Sequence, residues 1–471
     1  MKKFDKSLNV MLPVSYIYKG VKRGILWCSC FASIALPVIA AEPLTPQGEF
    51  VMTPGMKGDQ VNAALAFNAT NGYVAWEDNV IDKKGAGVGS ALLMNFMPGK
   101  AFKANSVARN DQINPKIVAL QNGEFAYVWQ SRVLGTPDVF IRFRRNNSFY
   151  TGDIRVNTYT KDQQINPVAS GLSDGGVIVV WQSYNQYSPS PYNPSMWDVY
   201  ARKFTEKGKA ITVKVGNKSA AQKEFCVTTN EFGQGAFGNQ RNPAVATLAS
   251  DGTNGNFVVV WASEMQRWFG DVYTTPGSKM SSDAPSVDIY ARIFANDCTP
   301  VTGNILINSS TNACSQPDVA PTPDGGFTVV WTEKDPAVTL TTTNSLDIYG
   351  RAFSAQGVAL ADQFRINNYT YGDQYQPKIA AGAGGCMVVW TSLGQDGDRE
   401  GIFGRFLANS PNGSVISGSE FQVNKSWRNQ QLYPAVAWDE ASSRFLVVWS
   451  SLSAGFGFDL YGQAYSVNNN Q

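Results

Sequence analysis

The chain predicts an all-β fold, a single seven-bladed β-propeller of four-stranded antiparallel blades, and three observations carry that prediction. An apolar strand ending in tryptophan recurs seven times, each copy carries four strand-like segments, and the two chain ends are out of phase by one strand. The tryptophan strand reads YVAW, FAYVW, VIVVW, FVVVW, FTVVW, CMVVW and FLVVW, ending at Trp76, Trp129, Trp181, Trp261, Trp331, Trp390 and Trp449. A strand apolar at nearly every position suits a sheet packed on both faces, which blades stacked around an axis provide.

Each copy keeps one internal order. QINP, QINP, QRNP, QYQP and QLYP, ending at Pro115, Pro167, Pro243, Pro377 and Pro434, read as a turn opening a first strand, with proline as the first strand residue. A Gly/Asp turn and the tryptophan strand follow. Third come DVYARKF, DIYARIF, DIYGRAF, GIFGRFL or DLYGQAY, and fourth DIRVN, EFCVT, ILINS, QFRIN or EFQVN. Blade 1 is degenerate, with Ala63 at the proline position and GSALLMNF as its third strand. The last repeat stops after its third strand. Gly48 to Thr53 supply the missing fourth near the start, so pairing with Tyr461–Tyr465 closes a ring. An open solenoid calls for polar capping repeats instead.

The units DGGF-VVW, DIYGRxF and FxVN resemble a repeat found in many bacterial secreted and large adhesin-like proteins, believed to form propellers. The resemblance runs from Glu49 to Tyr465. It implies architecture and export, and it carries neither a catalytic motif nor a shared ligand.

Residues 1–40 read as a secretory leader and 41–471 as the propeller. Lys2, Lys3, Lys6, Lys19, Lys22 and Arg23 precede the apolar run Ile25–Ile39, and Val38-Ile39-Ala40 supplies small residues for cleavage. That run is short for a span of roughly twenty residues. An exported product, periplasmic or extracellular and without a transmembrane segment, is the expectation. Without the leader, 33 basic residues face 36 acidic ones, which gives no electrostatic reason to expect nucleic acid.

There is no histidine. This removes Ser-His-Asp and Cys-His catalysis and histidine-based metal sites. No cofactor, metal site or catalytic residue is indicated. Asp396, Asp398 and Glu400 in GQDGDREG alternate like a calcium loop, but later EF-hand features are missing and the stretch reads as a charged turn. A Cys298–Cys314 disulfide is disfavoured, because the two fall at opposite ends of a blade. Cys386 reads as a buried free thiol.

What repeats reads as scaffold. Arg142, Arg202, Arg292, Arg351 and Arg405, beside Asp138, Asp198, Asp288, Asp347 and Asp459, are expected between blades, stacked on aromatics and paired with the acids. Gln60, Gln112, Gln164, Gln240, Gln374 and Gln431 are expected to bind backbone of the inter-blade turns. What does not repeat is the candidate site. Between second and third strands blade 2 has eight residues (Gln130 to Pro137), against sixteen in blade 3 (Gln182 to Trp197), twenty-six in blade 4 (Ala262 to Val287) and fifteen in blade 5 (Thr332 to Leu346). These insertions crowd one rim of one face. They offer Tyr184, Tyr187, Tyr192, Trp197, Trp268, Phe269 and Tyr273, with Phe232 and Phe237 in the long turn entering blade 4. Tyr and Trp give large contact area at low entropy cost, so the leading reading is a non-enzymatic module that binds a protein or glycan there. The alternative is a carboxylate-dependent glycoside hydrolase using Glu264, Asp271, Asp283, Glu333 or Asp335.

Overall fold

A computed structural model describes residues 42–186, 196–214, 222–229, 238–248, 255–264, 287–334, 346–411, 413–426, 428–453 and 457–468. The expected leader lies outside them. Seven antiparallel sheets stand around an axis, and the described residues contain no helix. The innermost strands are Gln60–Phe67, Gln112–Ala119, Gln164–Gly171, Gln240–Thr247, Cys314–Pro321, Gln374–Gly382 and Gln431–Asp439. Each packs beside the next, and the seventh returns to the first. Blades 1 and 2 split their outermost strand in two, as Met97–Pro98 with Phe102–Lys103 and Ser148–Phe149 with Ile154–Arg155.

The ring closes as the chain ends predict. Leu44–Val51 runs antiparallel to Gly457–Val467, with Glu49 opposite Gln463 and Val51 opposite Tyr461. Side chains of this strand and of Thr53 just after it take over the repeated bonds. In blades 1, 2, 4, 5 and 6 the Asn of the fourth strand accepts a third-strand N–H: Val88 to Asn105, Val139 to Asn157, Ile289 to Asn308, Ile348 to Asn367 and Ile402 to Asn424. In blade 7 the Leu460 N–H finds Thr53 Oγ1 at 2.9 Å. Glu49 also accepts the Lys425 N–H of blade 6 at 2.6 Å, as Glu420 accepts the Asn368 N–H of blade 5.

Seven hydrophobic clusters fill the seven blade junctions, one of them joining blade 7 (Leu446, Val448, Leu460) to blade 1 (Val74, Trp76). The seven repeated tryptophans are each at most 1% exposed, and each faces the preceding blade. Trp129, Trp181, Trp261, Trp331 and Trp449 each lie beside a third-strand Phe or Tyr, at 6.3–6.4 Å between centroids. The arginines share that face, because period two places Tyr200, Arg202 and Phe204 together.

Those arginines do bridge blades, but their partners are carbonyls rather than the acids. Arg142, Arg202, Arg292, Arg351 and Arg405 donate to Ala104, Val156, Val227, Ile307 and Ile366, each in the outermost segment of the preceding blade. Aromatic rings cover several of the guanidinium groups. The acids instead accept from the fourth-strand Asn, as Asn157 to Asp138, Asn308 to Asp288 and Asn367 to Asp347. A short, stiff Asn reaches its own sheet's acid, whereas Arg is long enough to cross the junction. The glutamines do bind turn backbone, yet they are buried: Gln112 Nε2 donates to Arg109 O, Gln374 Nε2 to Tyr371 O, and Gln431 Nε2 to Arg428 O.

Asp396 turns out to belong to this scaffold. Blade 6 has Gly401 where blades 2, 3, 4, 5 and 7 have the acid, and Asp396 swings in from the loop to accept from Asn424 Nδ2 at 3.3 Å. A Cβ on Gly401 would meet Asp396 Oδ2 at 2.4 Å. Blade 1 repeats the device with Gly87 and Asp82, which accepts from Asn105. Asp398 caps the Asn429 N–H and Glu400 accepts from Gln430, so the stretch is a charged turn. Among the described residues Cys226, Cys298, Cys314 and Cys386 form no disulfide with one another, and burial pushes the Cys298 and Cys386 thiols up to about 12.

Candidate functional site

The Gln-x-Asn-Pro stretch builds the axis. The innermost strands begin at the glutamine, so proline lies inside the strand rather than opening it. It sits at a register break between the residue after the glutamine and the residue after the proline, as between Ile113 and Lys116. Proline has no N–H to lose from the ladder, and a bulge on an edge strand tolerates it. The residue before it is left-handed: Asn62, Asn114, Asn166 and Asn242 have φ of 51–54°, and Gln316, Gln376 and Tyr433 have 51–55°. Asparagine tolerates that region better than most residues. The N–H freed by the bulge is satisfied from the preceding blade. Glu77 Oε2 accepts from Asn114, Gln130 Oε1 from Asn166, Gln182 Oε1 from Asn242 and Gln316 Oε1 from Gln376.

These bulges line an axial channel of about 250 Å³ to which all seven blades contribute. Its wall is amide and proline, with Lys116, Lys378 and Tyr433 added. Lys378 Nζ lies 3.9 Å from Asp318 Oδ2, which also accepts the Ile379 N–H. Lys116 has no ion-pair or hydrogen-bond partner among the described residues. Burial, then repulsion from Lys378, lowers its ammonium to about 8, against the pull of Asp318 and Glu77. Glu77 is raised by burial, opposed by bonds from Asn62 and Asn114.

The face where the innermost strands begin is the one from which the second-to-third loops emerge. Tyr184 and Trp197, expected in the blade 3 loop, are strand residues paired across the ladder. Their rings meet edge-on at 5.0 Å, and Trp197 is buried, with the Arg241 guanidinium 5.9 Å from its ring. They anchor the loop's base. Tyr187, Tyr192, Trp268, Phe269 and Tyr273 lie outside the described residues, as do Phe232 and Phe237.

An aromatic group missed in the sequence occupies the same face over blades 6 and 7. Tyr371 is 60% exposed and Tyr433 37%, while Tyr369 stands 6.1 Å from Tyr371. Burial, then nearby Glu400 and Tyr433, raises Tyr375 to about 12. The signal was there: NNYTYGDQYQP places two tyrosines in one turn and a third at the start of the strand that follows. That turn is of ordinary length, and loop length was the criterion.

Neither described carboxylate offered for hydrolysis stands free. Glu264 pairs with Arg241 at 3.3 Å and accepts from Asn239 Nδ2 at 2.7 Å. Glu333 is buried and accepts from Trp331 Nε1, Asn312 Nδ2 and Gln363 Nε2, replacing the Gln lost to Cys314 in blade 5. Asp271, Asp283 and Asp335 lie outside the described residues. Among the described residues no group of three Cys, Asp or Glu is arranged to hold a metal ion, and no helix is long and apolar enough to cross a membrane.

No family model matches the chain, and no curated protein does. Solved structures resemble it in fold. An ulvan lyase, described as a polysaccharide lyase, is 7% identical with a TM-score of 0.49, over 87% of this chain and 94% of that one. A protein of unknown function from Dyadobacter fermentans is 10% identical with a TM-score of 0.46, over 75% of this chain and 94% of that one. An α-L-arabinofuranosidase from Fusarium graminearum is 12% identical with a TM-score of 0.44, over 75% and 92%.

Proposed function

We propose that this protein is an exported recognition module that binds glycan on its loop-bearing face without processing it. One observation carries the reading: exposed Tyr371 and Tyr433 stand on that face beside a ring of side-chain amides at the channel mouth. Phenol rings stack on sugar C–H faces, and amides supply donors and acceptors for hydroxyls. The ties on Glu264 and Glu333 weigh against a hydrolase, which needs one carboxyl free to donate a proton. The repeat resemblance and the basic, apolar leader support export.

A glycan array probed with the purified protein tests this. Tyr371→Ala, and separately replacement of residues 185–196 and 265–286 by loops of blade 2 length, should each weaken the bound glycan at least tenfold at unchanged melting temperature. Unchanged binding in both variants would sink the reading. A blank array with a specific protein captured from envelope extracts would move it to a protein ligand.

A further inference from the structure

The residue following the proline position of the innermost strand shows what the scaffold needs there. It is Ala64, Val168, Ala244 and Ala435 in four blades, all small or apolar. In the other three it is Lys116, Asp318 and Lys378. These charges are departures from the repeat; Asp318 and Lys378 pair with each other, and Lys116 has no such partner among the described residues. Asp318 lies on Lys378 and on the Ile379 N–H, outside the channel wall, whereas both lysines line it. The wall therefore presents ammonium groups from blades 2 and 6, with amide side chains around them and the acids set back.

We propose that the axial channel is a binding site for a small oxoanion, a carboxylate or sulfate group held between Lys116 and Lys378. A desolvated ammonium without a partner is costly, and two facing each other repel. An anion between them removes both penalties. The amide of Gln376 lines the same space, and Asn62, Asn114 and Asn166, whose Nδ2 atoms already donate to Glu77, Asn166 and Gln182, each keep a second N–H for its remaining oxygens. At about 30 Å³ per water, the channel replaces roughly eight waters, which suits a small ligand or one charged group of a larger one. Affinity should fall above pH 8, as Lys116 loses its proton; Lys378, Asp318, Glu77 and Tyr433 are the other titratable groups around the channel.

Calorimetry with the purified protein tests the site independently of the glycan reading. Sodium sulfate and sodium glucuronate are titrated at constant ionic strength, with glucose as the uncharged control. Expected is one-to-one binding of at least one anion, weakened at least tenfold by Lys116→Met and by Lys378→Met, with glucose silent. Preference for glucuronate over sulfate would identify a carboxylate carried on a sugar, and the reverse a sulfate group. A second readout guards against misfolded variants: wild-type affinity should drop at least threefold between pH 7 and pH 9. Absence of binding by either anion overturns the proposal, as does equal affinity in folded Lys→Met variants or a flat pH profile.

Discussion

Arg292 and Lys116 are both inward-placed cations on propeller strands, and their surroundings are opposite. Arg292 is buried with its guanidinium donating to Val227 O, Thr229 O and Thr302 O, and it recurs in five blades. Lys116 faces an open channel, has no described partner, and stands where most blades have Ala or Val. One charge is bonded to fixed dipoles of the neighbouring blade. The other awaits something the chain does not itself provide. Repetition thus marks residues whose partners are built in, and Lys116 is a departure from it that has none among the described residues.

The contrast breaks most completely if the ring is opened. A chain beginning at Pro54 lacks the Leu44–Val51 strand, buried Met52 and the Thr53 cap on Leu460. Blade 7 is left with an unpaired edge, a template for association. Such a chain should lose the sharp melting transition and elute as aggregates on size exclusion, with anion binding gone. A monomeric, cooperatively folded truncation would show that scaffold bonds are less interdependent than the repeat suggests.

A milder perturbation separates the two cations directly. Arg292→Met should cost about 2–3 kcal/mol in denaturant unfolding, since it leaves buried carbonyls unpaired. Lys116→Met should instead stabilise the fold, by roughly 1–2 kcal/mol at pH 7 in anion-poor buffer, less than the full shift implies because the channel is open to water. The sign follows from protonation. The Lys116 pKa is lower folded, about 8, than unfolded, so the charged form is penalised below pH 8. Between pH 8 and the unfolded value the unfolded chain binds more protons, and wild-type stability rises relative to the variant. A gap between the two that does not narrow from pH 7 to pH 10 would count against Lys116 as an unpaired channel charge.

Blade number and strand order were legible in the sequence because each is written several times, and seven noisy copies average to a clear unit; ring closure was legible because the two chain ends are one strand out of phase. The tryptophans and arginines were legible for the same reason, although the Arg partners were not: a carbonyl acceptor leaves no mark in a sequence, and the nearby Asp looked like one. The proline was misplaced because proline inside a strand is ordinarily excluded, and a bulge whose preceding residue stands at positive φ admits it. The channel lysines were invisible. Lys116 and Lys378 are far apart in the chain, each resembles a surface residue, and only closure of the ring brings them to one space.

The smallest effect concerns a residue that imitates a site. Asp396 sits in a turn that alternates acids like a calcium loop, yet its carboxylate receives Asn424 because Gly401 stands where blades 2 to 5 have the acid. Asp396→Ala should therefore cost about 1–2 kcal/mol, and millimolar calcium should not shift the melting temperature of the wild type. Gly401→Asp alone should also destabilise, since its Cβ would press on Asp396 Oδ2. Combining them should recover most of the loss, because the double variant restores the arrangement of Asp138 with Asn157 in blade 2. That non-additivity, read from a double-mutant cycle, is the signature of one acid serving one asparagine from either of two positions. Strict additivity would mean that Asp396 acts on its own, and a calcium-dependent shift would move it from the scaffold to the site.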